Sequence, residues 1–250
     1  MTFIRRRLPL AEASGARAAG IFSADRVADL PEPARRYLRH AIAPGTPLAR
    51  IVRLEMDGSM LPRPGGPRAG LTADEVLAPH VGFTWTARVR MFGLPVRVHD
   101  HYFRNEGRVS VDILGVIPVA RESGADVTRS SRGRLVAEAV WCPTALVGPD
   151  VRWEDVDADR ARFTLTVDGD RIPVTIHVDP GGVLGEVTLE RWGTVGVPSA
   201  RPIPYGFEVL DSATFGGVTI PARLRGGWWY GTDRFDPEAA AEFVIRAASF

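Results

Sequence analysis

Phe83-Thr84-Trp85-Thr86-Ala87-Arg88-Val89-Arg90-Met91 decides the fold, because its odd positions are apolar and its even positions are threonine or arginine. A strict period of two marks a β-strand with one face in a core and the other in water. Phe92-Gly93-Leu94-Pro95 then turns the chain into a second strand over 96–103. Asn105-Glu106-Gly107 makes the next turn, ahead of Val109, Val111 and Ile113. Alternating strands joined by short turns form an antiparallel meander.

Outward from this hairpin the pattern recurs. Upstream, Val52, Leu54 and Met56 alternate with Ile51, Arg53 and Glu55, and 61–70 is a Pro/Gly loop. Downstream, Ala161, Phe163, Leu165 and Val167 lead through an Asp168-Gly169 turn into Ile172, Val174, Ile176 and Val178. Asp179-Pro180-Gly181-Gly182 turns the chain again, into Val183, Val187, Leu189 and Arg191. Further strands are expected over 206–211, 218–224, 228–230 and 242–248. One stretch breaks the alternation: over 132–146, Leu135, Trp141, Ala145 and Leu146 recur at helical spacing, with Glu138 near their stripe and Pro143 as a stop. The N-terminal part also reads as helical. Residues 11–19 are alanine-rich, Ser23 is placed to cap a short turn, and Pro33 opens a helix with Tyr37, Leu38 and Ile42 on one side.

The expected architecture is therefore mainly β (α+β), a large curved antiparallel sheet or half-barrel wrapped around one or more helices. It forms one domain. Residues 1–45 are a helical segment packed on the half-barrel of 46–250, with an inserted helix near 132–146.

Composition narrows the chemistry. The 250 residues include 31 basic ones, every one an arginine, against 30 acidic ones. Without lysine there is no Schiff base, pyridoxal anchor or phosphate-loop lysine. The single cysteine, Cys142, excludes intrachain disulfides and cysteine-based zinc or iron-sulfur sites, and reads as a small core residue. A formal net charge of +1, with arginines spread throughout, argues against a nucleic-acid partner. No apolar run has membrane-spanning length. Glu12 and Arg17 interrupt the apolar stretch after Arg5, Arg6 and Arg7 that an export signal needs, so a cytoplasmic location is expected. No nucleotide fingerprint or nucleophile elbow occurs, and no cofactor is expected.

Alternation also shows which polar residues lie on the wrong face. If Val96 and Val98 point inward, so do Asp100 and Tyr102, while His99 and His101 project outward with Arg97. Arg191 follows Val187 and Leu189 inward, and Glu138 sits on the inserted helix. A buried carboxylate either raises its pKa or recruits an arginine. Two readings stand. Arg191 or Arg134 neutralises Asp100 or Glu138 as scaffolding, or one acid faces a cavity and moves protons, with Tyr102 or Tyr205 as a second donor. Trp85, Trp141, Arg191, Tyr205, Trp228 and Tyr230 are the expected walls of such a site. The His99/His101 pair lacks a third ligand, and Asp155, Asp157 and Asp159 lack the glycine and glutamate of a calcium loop, so no metal is expected.

Several segments resemble an uncharacterised bacterial family, a domain of unknown function. These are Leu30-Pro31-x-Pro33 with 36–41, Val52-Arg53-Leu54-Glu55-Met56-x-Gly58, Gly82-Phe83-x-Trp85-x-Ala87, Asp100-x-Tyr102, and Arg134-Leu135-Val136-x-Glu138-x-x-Trp141-x-Pro143-x-Ala145-Leu146. The resemblance spans about 30–235. It implies a half-barrel similar to bacterial lipoprotein carriers and no particular activity. The residues themselves favour a cofactor-independent enzyme acting on a hydrophobic small molecule by acid-base chemistry such as cyclisation, isomerisation, dehydration or hydrolysis, with Asp100, Glu138 and Tyr102 as the catalytic candidates. The alternative is a non-catalytic carrier or sensor of a lipid or polyketide-like ligand.

Overall fold

A computed structural model describes residues 20–61, 66–91 and 93–250. Thirteen strands form one sheet: β1 (Val52–Met60), β2 (Ala69–Ala78), β3 (Gly82–Met91), β4 (Leu94–Phe103), β5 (Glu106–Ile113), β6 (Ile117–Ser123), β7 (Arg152–Asp155), β8 (Arg160–Val167), β9 (Asp170–Val178), β10 (Leu184–Gly193), β11 (Arg201–Phe215), β12 (Val218–Trp228) and β13 (Ala241–Ser249). Their spatial order is β6-β5-β4-β3-β2-β1-β13-β12-β11-β10-β9-β8-β7, so the chain runs out one limb, crosses over, and returns along the other. All neighbouring pairs are antiparallel.

Two helices accompany the sheet, α1 (Glu32–Ala41) and α2 (Ala125–Ala137). On α1 the buried residues Ala34, Tyr37, Leu38 and Ala41 fall at helical spacing, and they pack toward β8, β9 and β12. The second helix, α2, is the crossover, and it touches both β5 and β10. In strand order these two are eight steps apart, which in a flat sheet would be about 38 Å. A helix about 10 Å wide can touch both only if the sheet curls around it, which makes the half-barrel. The concave face carries Leu54, Leu77, Phe83, Tyr102, Phe163, Leu165 and Ile176, all buried.

Three hairpins turn on two residues with positive φ, the geometry that matches strand twist. They are Asp168-Gly169 (φ 47° and 87°), Gly216-Gly217 (57° and 84°) and Arg104-Asn105 (51° and 58°). The last differs from the turn expected at 105–107. Phe103 pairs with Glu106, so Glu106 and Gly107 already belong to β5.

Other expectations need correction. The inserted helix starts at Ala125, seven residues before the expected 132, and ends at Ala137; two 3-10 turns, Glu138–Trp141 and Pro143–Leu146, carry the chain on. Strands β2, β6 and β7 were not expected at all. Residues 228–230 do not form a strand of their own: β12 ends at Trp228, and Trp229 (φ 65°) turns away while its N–H donates to the Pro204 carbonyl. Ser23 precedes a 3-10 turn, Ala24–Val27, without a side-chain capping bond. The alanine-rich stretch 11–19 lies outside the described residues.

Candidate functional site

Registry places three polar side chains in one row of the concave face. Glu75 on β2 lies opposite Trp85 on β3, and Trp85 lies opposite Asp100 on β4. Above the row runs the end of α2, which presents Arg134 and, one turn later, Glu138. Arg134 is the hub. Its Nη1 donates to Asp100 Oδ2 at 2.7 Å and its Nε to Glu138 Oε1 at 2.8 Å, while Nη2 lies 3.7 Å from Glu75 Oε1. The guanidinium also lies over the rings of Phe83 and Trp85, 4.7 and 5.0 Å from their centroids.

One arginine among three acids leaves the cluster electrostatically unbalanced. Burial pushes the Glu75 carboxyl well above the usual carboxylate range, the Glu138 charge adds to this, and Arg134 only partly opposes it. For Arg134 burial alone would favour losing the proton, but Glu138, Asp100 and Glu75 together hold it charged. Hydrogen bonding is also incomplete. Of seven buried side-chain N and O atoms without a partner among the described residues, five belong to this cluster: both Glu75 oxygens, Trp85 Nε1, Asp100 Oδ1 and Glu138 Oε2. Such atoms are rare in folded proteins and mark strain, a chemical role or a bound water or ion.

Beside Glu138 is a cavity of about 30 Å³, walled by Arg134, Trp141, Tyr205, Phe207, Leu224 and Phe243. That is room for one water-sized group. Tyr205 and Phe243 are only half-buried. A second hollow, about 430 Å³, lies between α1 and the β9–β10 turn. It is an open surface groove lined by Arg35, Arg39 and His40, and its Arg36 is already paired with Glu32 and Asp159.

The expected site residues therefore separate into groups. Asp100, Glu138 and Trp85 converge on Arg134, and Trp141 and Tyr205 face the adjoining cavity. The Trp141 indole N–H is used structurally, donating to the Pro221 carbonyl. Arg191 points inward but not to the acids: its Nε donates to the Ser130 carbonyl, and its guanidinium covers the rings of Tyr205 and Trp228. Arg134 takes the neutralising role alone. The Tyr102 phenol donates to Asp168 in the β8–β9 turn rather than joining Asp100. Tyr230 packs on Gly206 and donates to Glu186, away from the cavity. His99 bonds Thr86 through Nδ1, and among the described residues no group of three or more His, Cys, Asp or Glu is arranged to hold a metal. Cys142 is buried, and burial pushes its thiol up to about 11.

Sequence reading missed Glu75, the most deeply buried acid. The signal was present: Leu71, Ala73, Glu75 and Leu77 alternate with Thr72, Asp74 and Val76, the pattern that placed Asp100 inside.

The sequence profile of DUF6544, a family of unknown function, matches residues 20–237. No curated protein matches the chain. Among solved structures, a DUF1329 family protein from Desulfovibrio piger is 10% identical with a TM-score of 0.45, over 88% of this chain and 90% of that one. A LolA superfamily protein from Nitrosomonas europaea is also 10% identical, with a TM-score of 0.41 over 87% and 91%. At such values neither likeness bears on what the chain binds.

Proposed function

Since the chain belongs to DUF6544, a family that brings no activity with its name, we propose from the site alone that it is a non-catalytic carrier or sensor holding a hydrophobic small molecule on its concave face. The observation that carries this reading is the double engagement of Arg134. Asp100 and Glu138 are each ion-paired to it, which opposes a proton-shuttling role for either. Around them the concave face is apolar, and Val98, Val111, Ile113 and Phe243 remain only partly buried. Partly buried apolar surface beside a buried polar anchor suits an amphiphile, its body on the sheet and its head at the cluster.

Native mass spectrometry of freshly purified protein tests the reading. A co-purifying apolar molecule, extractable into organic solvent and displaceable by Nile red, is expected. Protein that is consistently empty and fails to bind Nile red overturns it.

One observation favours cofactor-independent acid-base catalysis as a second reading. Glu75, held above the usual carboxylate range by burial, keeps its proton to higher pH than an exposed carboxyl and can donate it. Under that reading the co-purified molecule is converted by the wild-type chain, but not by a Glu75→Gln variant that still folds. Equal conversion by the two sinks it.

A further inference from the structure

We infer that the Arg134 cluster is the receptor for a primary ammonium group, so that the ligand is an amphiphile with a small cationic head; this rests on the carrier reading above. Three observations carry the inference. The first is charge. One guanidinium faces two paired carboxylates, so even with Glu75 neutral a negative charge remains uncompensated in the interior. Arg191, the inward-pointing arginine expected to neutralise the acids, is committed to the Ser130 carbonyl and two aromatic rings. A bound monocation neutralises the cluster, whereas water or an alcohol satisfies hydrogen bonds without supplying charge.

The second is hydrogen-bond capacity. Four of the five unpartnered atoms, on Glu75, Asp100 and Glu138, are carboxyl oxygens; beyond the proton that Glu75 shares with Glu138, Trp85 Nε1 is the single donor. The Glu75 side chain is fully buried and Trp85 is 5% exposed, so solvent does not serve them from the surface. The site lacks donors, and an ammonium brings three. The third is size and wall chemistry. A cavity of about 30 Å³ takes a group as large as water, which an –NH₃⁺ is and a trimethylammonium or phosphate is not. Of the cluster, Glu138 and Arg134 line it, so Glu138 is the carboxylate that meets the head group; Trp141, Tyr205, Phe207 and Phe243 complete the wall, and aromatic faces attract cations while accepting an alkyl chain.

The test is displacement of Nile red from the full chain at pH 7.5 by three probes of equal length: decylamine, 1-decanol and decanoate. Decylamine is expected to compete at least about tenfold more tightly than the other two, and raising salt should not erase the difference, because the pair is buried. The Glu75→Gln variant keeps one surplus negative charge and should keep the preference. The double variant Glu75→Gln/Glu138→Gln has no surplus and should bring the three probes within about twofold of one another. Decanol or decanoate binding as tightly as decylamine to the wild type overturns the ammonium assignment and leaves the carrier reading standing. Failure of all three probes and of Nile red to bind overturns both. If the double variant melts below the assay temperature, the ranking of the three probes on the wild type still decides the matter.

Discussion

Glu75 makes stability depend on pH in a definable direction. In the unfolded chain its carboxyl titrates near 4.5, whereas burial and the Glu138 charge raise it well above that in the fold. Between those two values the folded chain holds a proton that the unfolded chain has released, so rising pH favours unfolding, by up to about 1.4 kcal/mol per pH unit. His99 and His101 have the opposite sign: burial lowers both below 6.5, so they weaken the fold as pH falls. Comparison with Glu75→Gln isolates the glutamate. The variant should lose the decline above about pH 4.5 and be the more stable protein at pH 8, read from urea midpoints at pH 5 to 8; parallel curves would contradict the assignment. Arg134 is the complementary case. Arg134→Met keeps the bulk but leaves Asp100 and Glu138 without their cation, and should cost about 3–5 kcal/mol in the same urea assay. A loss under about 1 kcal/mol would mean that the acids find other partners.

At the scale of elements, the seating of α2 on the sheet depends on small residues. A β-carbon at Gly107 of β5 would lie 2.8 Å from the Thr128 α-carbon and 2.9 Å from the Ser131 hydroxyl, so Gly107→Ala must push the helix outward. Overpacking of this kind costs about 1–3 kcal/mol. Gly70 on β2 is the control, since nothing lies within 4 Å of its added carbon and alanine there should be neutral to slightly stabilising. Differential scanning calorimetry of the two variants decides, and equal melting temperatures would refute the tight seating. The same packing explains what the sequence concealed. Thr128, Ser131 and Gly133 give α2 poor helix propensity, yet they are what closest approach to β5 and Arg191 requires. The apolar stripe therefore became visible only near Leu135. Strand β6 was invisible for another reason: as a sheet edge it is largely exposed on both faces, so it shows no alternation. By contrast β3, β4, β8 and β9 were legible because each has one wet face, and the inward placement of Asp100 and Tyr102 followed from that period. What periodicity could not supply was partners. Nothing local ties Tyr102 to Asp168, 66 residues on, or assigns the acids to Arg134 rather than Arg191.

For the whole molecule, the Tyr102–Asp168 bond joins the two limbs of the half-barrel directly, beside α2. The Asp168 carboxylate also accepts from the Asn105 N–H at 3.0 Å, and Arg132 pairs with the neighbouring Asp170. Tyr102→Phe removes one charge-assisted bond and should cost about 1.5–3 kcal/mol. Hydrogen exchange should quicken in both the β4–β5 and β8–β9 turns, though they are distant in sequence; acceleration confined to β4 would show that the bond does not couple the limbs.

The strand order has a consequence for how the protein is made. Strand β13, synthesised after all twelve others, inserts between β12 and β1 at the middle of the sheet rather than at an edge. Until it emerges, β1 has no neighbour on that side, and no strand pairing joins the two limbs. Nascent chains halted before residue 241 therefore present two open edges facing each other, and their protection from aggregation falls to whatever binds them at the ribosome.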